Sequence, residues 1–336
     1  MRVGLVGYSC PTGLGYENRR MWQKMPLDRW LLIPHPTHGL DISGLRSGRM
    51  FIARSHLDVQ YVDEFLDGLD TVVCVERTFP EDLFRKARER GVRCVLLANV
   101  EWFHSKKRWF HDADVVVARN RFGERHLGEQ PILKGKVVFS PAPLDLDELP
   151  YQLRRRASKV VFSNGWGGVH NRKGWVEVRT VLVTDPKLIT VRSQKPLPDA
   201  PPGVTVLGAV DRPADLFRGF DLAVQPSQFE GLGLSILEAM ACGVPVLTTN
   251  APPMNEYVRA AYGGYADKFL LPVKEVQRVT IWGPWDAHVV NPDGMKRKIE
   301  ALRGTDVSAF SRLGRSYTRD VHGPSAWDKL WALLTG

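Results

Sequence analysis

The sequence predicts an α/β protein built from two domains, each a parallel β-sheet covered by helices. Three observations carry this reading. Near-continuous Val/Leu/Ile runs of strand length alternate with amphipathic stretches along the 336 residues. The alternation halts once, at residues 140–159, and then a second series of the same kind begins. Strands that are apolar on both faces belong to parallel sheets sandwiched by helices. Two such series in a chain of this length imply two Rossmann-like halves facing one cleft.

In the first half the strand-like runs are "RVGLV", "RWLLI", "TVVCV", "RCVLLA", "DVVVA" and "KVVFS". Helical segments such as "PEDLFRKARERG" and "RFGERHLGE" separate them. The stretch "SPAPLDLDELPYQLRRRASK" is rich in Pro and charge and lacks periodicity, so it reads as a linker. The second series is "KVVFS", "LITVR", "VTVLGAV", "DLAVQPS" and "VPVLTT", and the tail "SAWDKLWALL" is a Trp-rich amphipathic helix. The expected domains are residues 1–150 and 151–310, with residues 311–336 as a C-terminal helical segment returning to the first domain.

Composition narrows the classes. The chain is 43% hydrophobic, and no apolar run reaches the ~18 residues of a spanning helix. The N-terminus "MRVGLVGYSC" reads as a buried strand and not as a signal peptide. Cys10, Cys74, Cys94 and Cys242 form no CxxC pair and have no histidine cluster beside them, which argues against a zinc site. Reduced thiols in a cytoplasm are the expected state. The net charge is +9, about +2 in residues 1–150 and about +7 in residues 151–336. Such a balance suits a polyanionic partner, or simply solubility.

In open parallel sheets ligands lie beyond the carboxyl ends of the strands. After "RVGLV" come Gly13 and Gly15, which let backbone approach a phosphate or sugar at a helix start. Asn18 occupies the place of the third glycine of a dinucleotide fingerprint, so that fingerprint is incomplete. "TVVCV" ends at Glu76 and Arg77, and "RCVLLA" leads to Glu101 and His104 between aromatic residues. In the second half, Gly165, Gly167 and Gly168 precede Arg172 and Lys173, a glycine loop with cations suited to a diphosphate. Further on, "QFEGLGLSILEAMACG" sets Glu230 and Glu238 eight positions apart around the loop Gly231–Leu232–Gly233, at the start of a helix. Carboxylates accept from hydroxyls, while loop amides and the helix dipole favour an anion. Hydroxyl, anion, hydroxyl is the outline of a sugar, a diphosphate and a ribose.

The stretch "PSQFEGLGLSILEAMACGVPVLTTN" resembles the E-x7-E signature of the retaining, family-4-like GT-B glycosyltransferases. The resemblance extends back through "VTVLGAVDRPADLFRGFDLAVQPS" and "NRKG", over most of residues 158–258. It implies a GT-B architecture and a nucleotide-sugar donor, expected as a UDP-sugar, with no further cofactor and no metal. It also implies that Glu238 binds the ribose hydroxyls, Glu230 the transferred sugar and Lys173 the diphosphate. The family arginine that follows a glycine is replaced by Trp166 here, and Arg172 is the candidate substitute. Glu101 is the candidate carboxylate orienting hydroxyls.

For the acceptor, basic clusters and the aromatic-interleaved "EWFHSKKRWFHD" point to DNA carrying 5-hydroxymethylpyrimidines, as in small phage-type transferases. The contacts would come from Lys106, Lys107, Arg108 and His104. The alternative is a lipid-linked or polysaccharide acceptor at a membrane surface. Readings of another class are a non-catalytic nucleotide-binding module and a nucleotide-sugar epimerase.

Overall fold

A computed structural model describes residues 1–165, 170–280 and 283–336. The chain divides into two compact units, Met1–Pro143 with Pro324–Gly336, and Leu144–Gly323. No helix among the described residues is long and apolar enough to cross a membrane.

The first unit holds seven strands: β1 (Val3–Tyr8), β2 (Arg29–Ile33), β3 (Arg49–Ile52), β4 (Thr71–Val75), β5 (Arg93–Ala98), β6 (Val115–Ala118) and β7 (Val137–Phe139). They form one parallel sheet in the order β3-β2-β1-β4-β5-β6-β7. The second unit holds β8 (Val160–Gly165), β9 (Thr190–Ser193), β10 (Val206–Leu207), β11 (Leu222–Gln225), β12 (Val246–Thr249) and β13 (Leu270–Leu271). Their sheet is also parallel, in the order β10-β9-β8-β11-β12-β13. Of the runs read as two-sided strands, β1, β2, β4, β11 and β12 are buried end to end. Cys74 and Cys94 lie buried within β4 and β5, where burial pushes their thiols upward.

Four strands among the described residues escape the apolar-run reading, and one of them, β13, is buried but only two residues long. β3 is short and partly exposed. β14 (Val273–Thr280) and β15 (Pro284–Val290) form an antiparallel hairpin with most of β14 exposed. A strand open to water on both faces has no apolar run to betray it.

The C-terminal segment also departs from its expected boundary. Residues 311–322 belong to the helix Ser308–His322 of the second unit, packed on the helices Leu234–Ala241 and Met254–Tyr262. Gly314 permits that approach, since a Cβ there would lie 3.3 Å from the Met240 side chain. Only the helix Pro324–Thr335 joins the first unit. Its Leu330 and Leu334 enter the first unit's core beside Val73, Val95 and Leu97, and Arg93 donates to the Leu333 carbonyl at 2.7 Å.

Each sheet has a topological switch point, where successive connections leave in opposite directions along the sheet. It lies between β1 and β4 in the first unit and between β8 and β11 in the second. Loops at the carboxyl ends of such strand pairs are where open α/β sheets bind ligands.

Candidate active site

The second unit's switch point brings together residues that are distant in sequence. Arg172 and Lys173 lie in the loop after β8, and Glu230 lies in the loop after β11. Lys173 Nζ donates to Glu230 Oε1 at 2.5 Å, and Arg172 Nη1 donates to Oε2 at 2.8 Å. The Glu230 side chain is 5% exposed, against 15% for Lys173 and 21% for Arg172. One buried carboxylate thus serves two cations that both reach toward solvent. The formal sum of the trio is one positive charge, fixed in place before any anion arrives.

Burial alone would raise the Glu230 pKa, but Lys173 and Arg172 outweigh it and hold the carboxyl down at about 2. A group with a depressed folded pKa stabilises the fold fully above its unfolded value, ordinarily about 4.5, and loses that contribution as pH falls through about 2. The linked stabilisation is on the order of 3 kcal/mol. Glu230→Gln is therefore expected to flatten the acid limb of the melting-temperature profile between these two pH values. An acid limb as steep as the wild type's would show that this pair does not govern acid stability.

Several residues that hold the trio in place were not singled out from the sequence. Glu177, buried in the helix Trp175–Thr184, accepts from Asn171 Nδ2 at 2.8 Å and from Gln228 Nε2 at 3.3 Å. It thereby joins the Arg172–Lys173 loop to the Glu230 loop. The Gln228 amide donates to the Arg172 carbonyl at 2.8 Å, and the Gln228 carbonyl accepts from the His288 amide at 2.9 Å. The hairpin β14–β15 is thus anchored beside the trio. Gly174 follows Lys173 with φ +78°, and a Cβ there would meet the Pro226 carbonyl oxygen at 2.3 Å. Only glycine fits this crossing of the two loops. His170 and Asn171 also have positive φ, so the backbone ahead of the cations is held in a costly conformation.

The loop Gly231–Leu232–Gly233 is buried and leads into the helix Leu234–Ala241. Gly233 takes φ +73° and folds back so that a Cβ there would lie 3.9 Å from Glu230 Cβ. The Leu232 side chain points into the protein, and its carbonyl accepts from Tyr257 Oη at 2.6 Å. What the loop can offer a ligand is therefore backbone. No side chain caps the helix N-terminus at Gly233. Glu238 stands one turn into this helix and is 7% exposed. Gly165 ends β8 with φ +54°. Trp166, Gly167 and Gly168 lie outside the described residues.

The first-unit candidates fall into three places. Gly13 opens the helix Gly13–Lys24, capped by Thr12, whose Oγ1 takes the Gly15 amide at 3.1 Å. That amide is thus already engaged. Gly15 is a packing glycine, because a Cβ there would lie 2.1 Å from the Cys10 carbonyl oxygen. Asn18, fully buried, donates from Nδ2 to the Tyr8 carbonyl at 3.0 Å and so ties this helix to the end of β1. Glu101 is buried in a turn just past β5. His104 Nδ1 accepts from the Lys106 amide at 3.1 Å.

The basic run does not form one face. Lys106 and Arg108 are exposed, and Arg108 lies 3.9 Å from Asp112. Lys107 turns inward, donates to the Trp102 carbonyl at 2.9 Å and lies over the Trp102 and Trp109 rings at 4.7 and 5.3 Å. Burial, with Arg77 nearby, lowers its pKa to about 8.

Comparison with known proteins bears on the second unit's sequence and on the fold. Residues 161–280 match the family described as "Glycosyl transferases group 1". D-inositol 3-phosphate glycosyltransferase of Rhodococcus opacus is 43% identical over 56 residues, which is 17% of this chain and 13% of that protein. Among solved structures, sucrose-phosphate synthase from Thermosynechococcus elongatus superposes with a TM-score of 0.70 at 13% identity, covering 100% of this chain and 98% of that one. HepE from Anabaena, in complex with UDP-glucose, gives a TM-score of 0.67 at 12% identity, covering 99% and 98%. Residues 161–280 thus match a group 1 glycosyltransferase domain, and the two sheets have the architecture of the GT-B fold.

Proposed function

We propose that the protein is a retaining glycosyltransferase that moves a hexose from a UDP-sugar to a hydroxyl acceptor. The observation that carries this reading is the trio at the second sheet's switch point: two cations held on one buried carboxylate, beside an uncapped helix N-terminus. A diphosphate leaving group gains negative charge as the glycosidic bond breaks, and preorganised cations and amides stabilise it there. Lys173 and Arg172 meet the diphosphate with the loop amides of Gly231 and Gly233. Glu230 sets both cations and faces the transferred sugar, and Glu238 takes the ribose hydroxyls. In a front-face displacement the leaving phosphate accepts the acceptor's proton, so no separate base is required. Glu101 of the first unit is assigned to orienting hydroxyls.

A UDP-sugar donor is supported by the resemblance to HepE, which was solved with UDP-glucose. The DNA reading depends on Lys106, Lys107 and Arg108 acting as one phosphate-binding strip, and the inward turn of Lys107 weighs against it. A saccharide acceptor, free or at a membrane surface, is the better-supported reading. The test is a donor-by-acceptor screen read by mass spectrometry, with duplex DNA containing 5-hydroxymethylcytosine or 5-hydroxymethyluracil as one arm. Transfer to saccharides and not to DNA is the expected result. Donor consumption with no acceptor in any arm, or epimerisation of the donor, would displace the transferase reading.

A further inference from the structure

The first sheet has a switch point of its own, and its chemistry is unlike that of the second. β4 ends in a three-residue turn in which the Arg77 amide donates to the Val75 carbonyl at 2.8 Å across Glu76. Glu76 takes φ +66° at the centre of this turn, a strained position for a residue with a Cβ. The turn is held from both sides. The Glu76 amide donates to the Leu97 carbonyl at 2.9 Å, and Asn99 Nδ2 donates to Glu76 Oε1 at 2.5 Å. Strain of this kind persists where the surroundings enforce it, and it gathers at functional sites.

Besides Nε1 of Trp109, whose ring lies under Arg77, two atoms beside the turn lack partners. Asn99 is 7% exposed, and its Oδ1, an acceptor, has no hydrogen bond. Arg77 Nε, a donor, is buried and has none either. A buried polar atom without a partner has lost its hydration uncompensated, so such a pair at a strand end calls for an explanation. A hydroxyl is the group that both donates and accepts, and so it matches one orphaned acceptor with one orphaned donor. A phosphate oxygen only accepts, which would leave Asn99 Oδ1 unmet.

Charge points the same way. Arg77 and Lys107 both lie over the Trp102 and Trp109 rings, at 5.9 and 5.7 Å and at 4.7 and 5.3 Å. Against these two cations stand three carboxylates: Glu76, Glu81 at 4.0 Å from Arg77, and Glu101, whose field reaches Lys107. The cluster has no surplus of positive charge to spend on an anion, in contrast to the trio after β8 and β11.

We propose that the loops after β4 and β5, beside the β1–β4 switch point, bind an uncharged polyhydroxyl ligand, a saccharide, with Glu76, Asn99 and Arg77 taking its hydroxyls. That this saccharide is the acceptor rests on the transferase reading, whereas the binding itself does not. The probes are the methyl glycosides of glucose, galactose and mannose, glucose 6-phosphate, and a short duplex DNA. Each is titrated into the full chain by saturation-transfer NMR without donor, and UDP affinity is measured separately by calorimetry. At least one neutral glycoside is expected to bind more tightly than glucose 6-phosphate or DNA. Glu76→Gln and Arg77→Lys should each weaken glycoside binding roughly 10-fold, the value of one charged hydrogen bond. Both variants should leave UDP affinity unchanged, which also reports that they are folded. Lys134→Met, at an exposed position of the same unit, should change neither. Tighter binding of glucose 6-phosphate or DNA, no glycoside binding at tens of millimolar, or full glycoside affinity in both folded variants would each overturn the proposal. Glycoside binding in a protein that does not bind UDP would uphold this site and remove the donor reading alone.

Discussion

Lys173→Ala is expected to lower kcat about 100-fold while changing the KM for donor much less. Charge on the leaving diphosphate grows between ground state and transition state, so a cation placed there is worth most at the top of the barrier. Lys173 has a partner in Glu230, at 2.5 Å. The lysine is therefore positioned in advance and needs little reorganisation when the donor binds. Removing it leaves Glu230 with Arg172 alone, so the carboxyl should titrate higher and the protein should melt somewhat lower. Single-turnover release of UDP from a UDP-hexose, with a melting curve on the same sample, separates the two effects. A folded Lys173→Ala enzyme with wild-type kcat would remove the lysine from the chemical step. Arg172→Ala distinguishes two roles for the second cation. A matching loss of kcat assigns it to the diphosphate, while a change confined to acid stability makes it a counter-ion for Glu230.

Glu238→Ala should act on binding. A carboxylate accepting from both ribose hydroxyls makes the same contacts before and during transfer, so its loss raises KM and leaves kcat nearly intact. Two charged hydrogen bonds are worth roughly 2–4 kcal/mol, a rise of about 30- to 1,000-fold in the donor KM. Calorimetry with UDP and with its 2′,3′-dideoxy analogue closes a double-mutant cycle. The wild type should discriminate between the two, and Glu238→Ala should not. Equal discrimination by both proteins would place the ribose elsewhere.

Much of this site was legible because its parts obey simple rules. Glycines, cations and carboxylates at strand ends stand out against apolar runs, and Arg172, Lys173 and Glu230 were each visible in that way. Their mutual contact was not, because nothing in "NRKG" states that its cations will close on a carboxylate 57 residues further along. Glu177 and Gln228 were missed for a related reason. A buried polar residue that joins two loops looks in sequence like any residue on a helix or turn surface. Lys107 misled in the opposite sense. Three consecutive basic residues read as one group of contacts, but Lys107 precedes the short helix Arg108–Asp112, and the two tryptophans near it draw the middle side chain inward. The parallel sheets needed only the pattern of runs. The hairpin β14–β15 needed tertiary information, since its anchor is a backbone bond to Gln228.

The return of the helix Pro324–Thr335 to the first unit sets an order of events during synthesis. The second unit is continuous from Leu144 to Gly323, so all of its strands and helices have been synthesised while the first unit still lacks Leu330 and Leu334. Domains ordinarily mature from the N-terminus onward. Here the earlier-made half must wait with part of its core uncovered, and the later-made half can finish first. A released chain ending at residue 323 should therefore protect the second unit from protease while the first stays open to it.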